Sequence, residues 1–392
     1  MDTCPLCVVA LIMALYTGIS REQCHITPCH CNGTHVECDD KEMRKIPFSD
    51  TDASVLDFSK NGLASLPEDE FRGWPNLKKL NLSENKLSSV HKGAFKGARI
   101  LEILDLSNNK LSSIHEGAFI GVPNLQRLFL SGNVIGSITG DVFSGLTNLK
   151  RLFLSKNTLS SIHEDAFKGM PSLEGLDLHL NTLSSIQDGA FNGLPNLQWL
   201  ILAGNELSSI PSGEFRRLPN LTKLFISHNS ISSIQTGAFE DLLNLDHLDL
   251  SANGVSNISR AAFSGLSRLR LLALNDNDLN IIEDDTFQGV PNLEELELKS
   301  SKINNISPAA FRGLTQLRDL NLFKNRLVNI SAESFRGLTK LSKLILATNR
   351  ISNISRTAFR DLTNISSLYL TANMLESIDD GLFDGMPGMN SL

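Results

Sequence analysis

The apolar positions of this chain recur at a fixed interval. Leu77, Leu80 and Leu82 form an L-x-x-L-x-L run that returns as Leu101, Leu104 and Leu106, one step of 24 residues later. The step is marked by asparagine at Asn61, Asn85, Asn109, Asn133, Asn157, Asn181, Asn205, Asn229, Asn253, Asn277, Asn325, Asn349 and Asn373, with Ser301 alone breaking the series. A phenylalanine series from Phe71 through Phe95 to Phe383 keeps the same step without a break and accounts for 14 of the 20 phenylalanines.

The pattern dictates local structure. Alternation in L-x-L predicts a short strand with leucines turned inward and the intervening residue outward, so that Leu80 and Leu82 are core and Asn81 is surface. The marker asparagine turns the chain away from the strand, where its amide satisfies backbone groups that a tight turn leaves unpaired. Phenylalanine fills the wider far side, each ring contributing on the order of 1.5–3 kcal/mol by burial. Strands about 4.8 Å apart against a bulkier far side predict a curved parallel sheet with a concave face. Pro123, Pro171, Pro195, Pro219 and Pro291 precede the next strand, which predicts turns and brief 3₁₀ segments on the convex side.

The unit, L-x-x-L-x-L-x-x-N-x-L-x-x-I followed by F-x-G-L, resembles the leucine-rich-repeat family in its 24-residue "typical" class. That resemblance implies an α/β repeat solenoid, a horseshoe with a parallel β-sheet lining its concave side. Residues 53–388 hold fourteen such units, and 389–392 read as the start of a further, incomplete one. The chain is therefore expected to be a fragment or an incomplete product.

The amino-terminal region is organised differently. An apolar run from Cys7 to Tyr16, with Gly18 and Ser20 behind it, reads as a secretory signal over residues 1–20, too short to span a membrane. Cys24, Cys29, Cys31 and Cys38 follow within residues 21–52, and no cysteine occurs after them. With His25, His30 and His35 interleaved, a zinc knot and two disulfides both fit the spacing, and secretion favours disulfides. The C-x4-C-x-C-x6-C spacing resembles the family's amino-terminal cysteine cap, which implies pairing of Cys24 with Cys31 and of Cys29 with Cys38 and no metal.

Composition narrows the function. The net charge is -7, charged residues make up 20%, and Lys and Arg are scattered, so no basic stripe suited to nucleic acid is present. No nucleophile elbow, zinc-protease helix motif or phosphate loop occurs, and no cofactor is implied; an enzyme is not expected. Asp177 with His179, echoed by His247 and Asp249 three strands away, reads as independent surface residues.

Outward strand positions, which core packing leaves free, gather large apolar groups mid-chain at Phe129, Phe153, Ile201 and Phe225, with Trp199 one position earlier and Arg127, Arg151 and Lys223 flanking them. Aromatics edged by arginine have the composition of a binding hot spot, although neighbouring rings also stack simply to stabilise a sheet. Sequons at Asn32, Asn81, Asn220, Asn257, Asn305, Asn329, Asn353 and Asn364 suit a secreted glycoprotein, four of them at one repeat position. Together these features predict an extracellular recognition protein, secreted or anchored through a missing carboxyl-terminal segment, that engages a protein, peptide or glycan on its concave face. The layout is similar to Toll-like receptor, variable lymphocyte receptor, and neuronal or matrix ectodomains, and permits a dimer. The alternative is a structural matrix component that self-associates or binds matrix proteins.

Overall fold

The computed structural model describes residues 26–48, 52–210 and 213–389. The signal segment, Cys24 and residues 390–392 lie outside the described residues. Each repeat contributes one three-residue strand, from Val55–Asp57 to Ser367–Tyr369, and these fourteen strands stack in parallel. Every strand pairs with the next at a 24-residue offset, as in Leu104 against Leu128 and Leu128 against Leu152, so the sequence period is itself the sheet register. The central leucine points inward and is buried throughout.

An antiparallel hairpin, His30–Asn32 with His35–Glu37, extends the sheet to sixteen strands by pairing His35–Glu37 in parallel with Val55–Asp57. It covers the amino-terminal end of the core with Val36 and Cys38, both buried. A disulfide joins Cys29 to Cys38, with their Cα atoms 4.3 Å apart, as the resemblance implied. Cys31 is also disulfide-bonded, and the partner expected for it, Cys24, lies outside the described residues.

The marker asparagines tie one repeat to the next. Asn109 Nδ2 donates to the Leu82 carbonyl of the preceding repeat at 2.9 Å and to the Leu106 carbonyl at 3.1 Å, while its Oδ1 accepts the Leu87 N–H at 3.0 Å. The residue before the marker adopts a left-handed conformation in repeat after repeat, for example Lys156 at φ 54° and Thr348 at φ 58°. At the exception, Ser301 Oγ reaches the equivalent carbonyl, Leu274, at 2.8 Å, and the serine carbonyl accepts the Leu279 N–H at 3.1 Å in place of an amide oxygen. The shorter side chain thus keeps the inter-repeat donor and lets the backbone replace the acceptor.

A second asparagine ladder, not anticipated from the repeat pattern, runs on the descending side. Asn148, Asn196, Asn220 and Asn244 donate to the carbonyls of Pro123, Pro171, Pro195 and Pro219, at 2.8–2.9 Å. The prolines therefore supply acceptors as well as ending each convex segment.

The phenylalanines form a spine in which consecutive rings from Phe71 to Phe359 stack at 5.8–6.4 Å. Among the described residues the stacking is broken between Phe191 and Phe215, and it does not continue from Phe359 to Phe383. At the first break a buried glutamate, Glu214, occupies the place held by Ala190 and Ala238 in the adjoining repeats. Convex segments are mostly turns, and a 3₁₀ helix occurs at Phe215–Arg217. One of the brief 3₁₀ pieces expected there forms, the other described convex segments being turns, and separate two-residue strands such as Ser161–Ile162 beside Ser185–Ile186 add short ladders, because the 24-residue register also aligns these extended dipeptides. Among the described residues no helix is long and apolar enough to cross a membrane.

Candidate recognition face

At the last position of the inner strands, six outward residues share one structural duty. Asp57, Asn81, Asp105, Asp177, Asp249 and Asn321 each accept, through Oδ1, the backbone N–H two residues ahead, at 2.8–3.0 Å. They cap the turn that ends the strand. The expectation that outward residues are free of structural duty therefore fails at these six positions, for a reason legible only once the turn is seen. Phe129, Phe153, Ile201 and Phe225 occupy the same position, and a hydrocarbon side chain cannot accept that bond.

These apolar residues are contiguous except for Asp177. Phe129 and Phe153 are register partners whose rings stack at 4.6 Å with 1° between planes. Trp199 lies 6.1 Å from Phe153, tilted by 41°, although a whole strand, Gly175–Asp177, stands between them. It reaches that far because the intervening residue is Gly175, whose missing side chain leaves the surface that the indole covers. Ile201 and Phe225 pair directly on the next two strands. The aromatics are half-buried rather than exposed, because they cover one another. Stacking and a residual binding surface thus coexist.

Asp177 is the polar member of the group and is buried between its register partners Phe153 and Ile201. Its Oδ1 sits 2.7 Å from His179 Nδ1 as well as capping the His179 N–H. The two are one bonded unit, which corrects their reading as independent residues: a two-residue separation around the turn puts the ring and the carboxylate on the same side. Asp249, in the echo, caps Ser251.

Arg127 and Arg151, register partners on adjacent strands, are exposed and make no ion pair among the described residues. Lys223 is likewise exposed at the other edge of the aromatic group. Towards the carboxyl terminus the same face turns acidic at Glu295, Glu297 and Asp319. Burial pushes the Glu297 carboxyl up, and a 2.7 Å hydrogen bond from Asn321 opposes that shift. Gly175 is the position of this candidate face that sequence reasoning missed; its signal was a glycine in a strand register between Arg151 and Trp199.

The sequons divide by geometry. Asn257, Asn305, Asn329 and Asn353 begin two-residue strands on one flank, and their side chains are exposed. Asn220 and Asn364 donate to the Pro195 and Thr339 carbonyls. Asn81 is held on the inner face by Asp57, and Asn32 is exposed in the cap hairpin.

Comparison with known proteins agrees with this geometry. The leucine-rich-repeat family model matches residues 53–99, 75–135, 133–183, 171–231, 219–279, 268–327 and 324–375. Relaxin receptor 2 of the dog, Canis lupus familiaris, is 34% identical over 53 residues, which is 14% of this chain and 7% of that protein. A chain of the Drosophila Toll–Spatzle complex superimposes with a TM-score of 0.66 at 24% identity, over 80% of this chain and 47% of the other. The plant peptide hormone receptor RGFR1, in complex with RGF2, gives 0.62 at 26% identity, over 86% of this chain and 54% of the other. This chain thus spans about half the length of those two structures and a small part of the relaxin receptor. With an unbroken family match along the solenoid, this chain belongs to the leucine-rich-repeat family and carries an amino-terminal disulfide cap.

Proposed function

We propose that this is an extracellular recognition protein that binds a protein or peptide through the inner-face group Arg127, Phe129, Arg151, Phe153, Trp199, Ile201, Lys223 and Phe225. The observation that carries the reading is the exchange of turn caps for large apolar residues at Phe129, Phe153, Ile201 and Phe225 on neighbouring strands, where, unlike at Ile345 and Tyr369 further along, they join stacked aromatic rings and Trp199 beside repeats that keep their caps. A surface that gives up local hydrogen bonds for half-buried hydrocarbon trades stability for contact area. The cap disulfide favours an oxidising, extracellular compartment. RGFR1, a peptide hormone receptor with a similar fold, is in keeping with a peptide-binding role. Glycans on the exposed flank asparagines would leave the inner face open.

The test uses the secreted chain as bait against displayed extracellular proteins and peptides, with Phe153→Ala/Trp199→Ala as comparison. Loss of at least tenfold in affinity, with unchanged far-ultraviolet dichroism, is expected. Equal affinity of the folded double variant for every partner found would overturn the proposal.

A further inference from the structure

Arg127 and Arg151 are an unusual pair. Parallel register places them on the same face of adjacent strands, about 4.8 Å apart at the backbone. Like charges directly opposite one another destabilise a sheet. In the row just before the strands cations meet carboxylates: Lys150 is 3.9 Å from Glu174, and Arg270 and Arg318 share Glu294 at 3.0 and 3.9 Å. At the outward strand position, by contrast, Lys79, Lys223 and Lys343 stand singly without an ion pair among the described residues, and only Arg127 and Arg151 are unpaired cations on adjacent strands. The carboxylates on the strands flanking the arginine pair are committed, Asp105 to the Ser107 N–H and Asp177 to the His179 N–H and ring. Two guanidiniums side by side without an acid form a bidentate receptor for one.

We infer that the ligand of the inner face is an acidic–apolar–acidic polypeptide segment, one carboxylate held between Arg127 and Arg151 and a second facing Lys223, with apolar side chains between them on Phe153, Trp199 and Ile201. This inference rests on the reading of the inner face as the binding surface and adds the chemistry of its partner. The spacing follows from the sheet. Arg151 and Lys223 are three strand steps apart, roughly 14 Å. An extended chain advances about 3.4 Å per residue, so the two carboxylates fall about four residues apart. Three strands beyond Lys223 stand Glu295 and Glu297, with Asp319 one strand further. They would repel a third acid, which confines the acidic segment to the strands between Arg127 and Lys223.

The probe is a displayed library of random twelve-residue peptides, selected on the intact secreted chain and separately on Arg127→Glu/Arg151→Glu. On the natural chain, enriched peptides should carry Asp or Glu about four residues apart around aromatic or aliphatic residues. Synthesised, they should bind the double variant at least tenfold more weakly, and peptides selected on the variant should carry Lys or Arg at one of the two acidic positions. Acid-poor winners, or winners that bind both proteins equally, would overturn the inference. If those winners still lose binding on Phe153→Ala/Trp199→Ala, the ligand chemistry fails and the inner-face reading stands; if they ignore all four substitutions, both fail. Because Arg151→Glu alone removes a repulsion, its melting temperature should not fall. Arg127→Gln/Arg151→Gln supplies the charge test should the glutamate variant misfold, and equal binding by it would likewise overturn the inference.

Discussion

The indole of Trp199 occupies the space that a side chain on Gly175 would fill: a methyl group placed there would fall within the ring itself. One strand thereby lacks a side chain at the first of its two outward positions, so that the next can reach across it to Phe153, 6.1 Å away. Gly175→Ala should displace the indole even though alanine suits a strand better than glycine. Loss of the Trp199 contribution to near-ultraviolet dichroism, leaving that of buried Trp74, and at least a tenfold fall in partner affinity are expected, with far-ultraviolet dichroism unchanged. An unaltered near-ultraviolet band would show that the ring does not depend on the glycine.

The marker asparagines hold adjacent repeats together, and a central one should be costly to remove. Asn157 donates to the Leu130, Leu154 and Ser155 carbonyls and accepts the Ile135 N–H, all at 3.0–3.3 Å. Asn157→Ala leaves buried backbone groups unpaired and should cost about 2–4 kcal/mol, on the scale of about 1–3 kcal/mol per unsatisfied group with partial repair. Urea unfolding measures it. Ser301 shows that a smaller polar residue retains part of the network, so Asn157→Ser should cost less.

Thr348 sits at φ 58°, a left-handed conformation that a β-branched residue adopts reluctantly. Its own N–H bond to the Thr371 carbonyl involves backbone alone and survives substitution. Thr348→Gly should therefore stabilise the chain, by about 1 kcal/mol, since the left-handed penalty of roughly 1–2 kcal/mol outweighs the extra unfolded-state entropy. A lowered urea midpoint would refute this.

Glu214, beside the break in the phenylalanine spine, has a buried carboxyl whose Oε2 has no hydrogen-bond partner among the described residues. Burial, reinforced by a hydrogen bond and repulsion from Asp188, pushes its carboxyl above the ordinary glutamate range, against the Gly189 backbone and Arg217. A raised folded value means that the protonated form favours folding. That stability is present at pH below the unfolded glutamate range and is lost as pH rises through the higher folded value. Glu214→Ala, which restores the residue of Ala190 and Ala238, should abolish this loss and stabilise the chain at neutral pH, by about 1–3 kcal/mol for an unsatisfied buried group. Thermal melts of both proteins across the acid-to-neutral range decide it; parallel curves would contradict the role given to Glu214.

Among the sequons, Asn257, Asn305, Asn329 and Asn353 are exposed on one flank, whereas the Asn81 amide is engaged on the inner face. Site mapping by mass spectrometry after secretion from animal cells should find the four flank sites occupied and Asn81 bare. A glycan at Asn81 would obstruct the inner face and count against it as a docking surface.

The period of 24 by itself determined the solenoid, its register and its core, because stacked units leave a leucine such as Leu104 one place to go, against Leu128 of the next. It also separated the cysteine cap from the repeats, and it marked Phe129, Phe153, Trp199 and the cations around them as a group. What only the tertiary structure decided are relations between side chains and backbone atoms one repeat away. Nothing in the letters says that Asp105 is held by the Ser107 N–H, that Asn148 bonds the Pro123 carbonyl, or that Gly175 is vacant for Trp199. A repeat pattern specifies which residues are neighbours; whether an outward residue caps a turn, stacks or stays unpaired depends on where the strand ends and which way the chain then turns. That is why the arginine pair could be named from sequence, while its lack of an acidic partner could not.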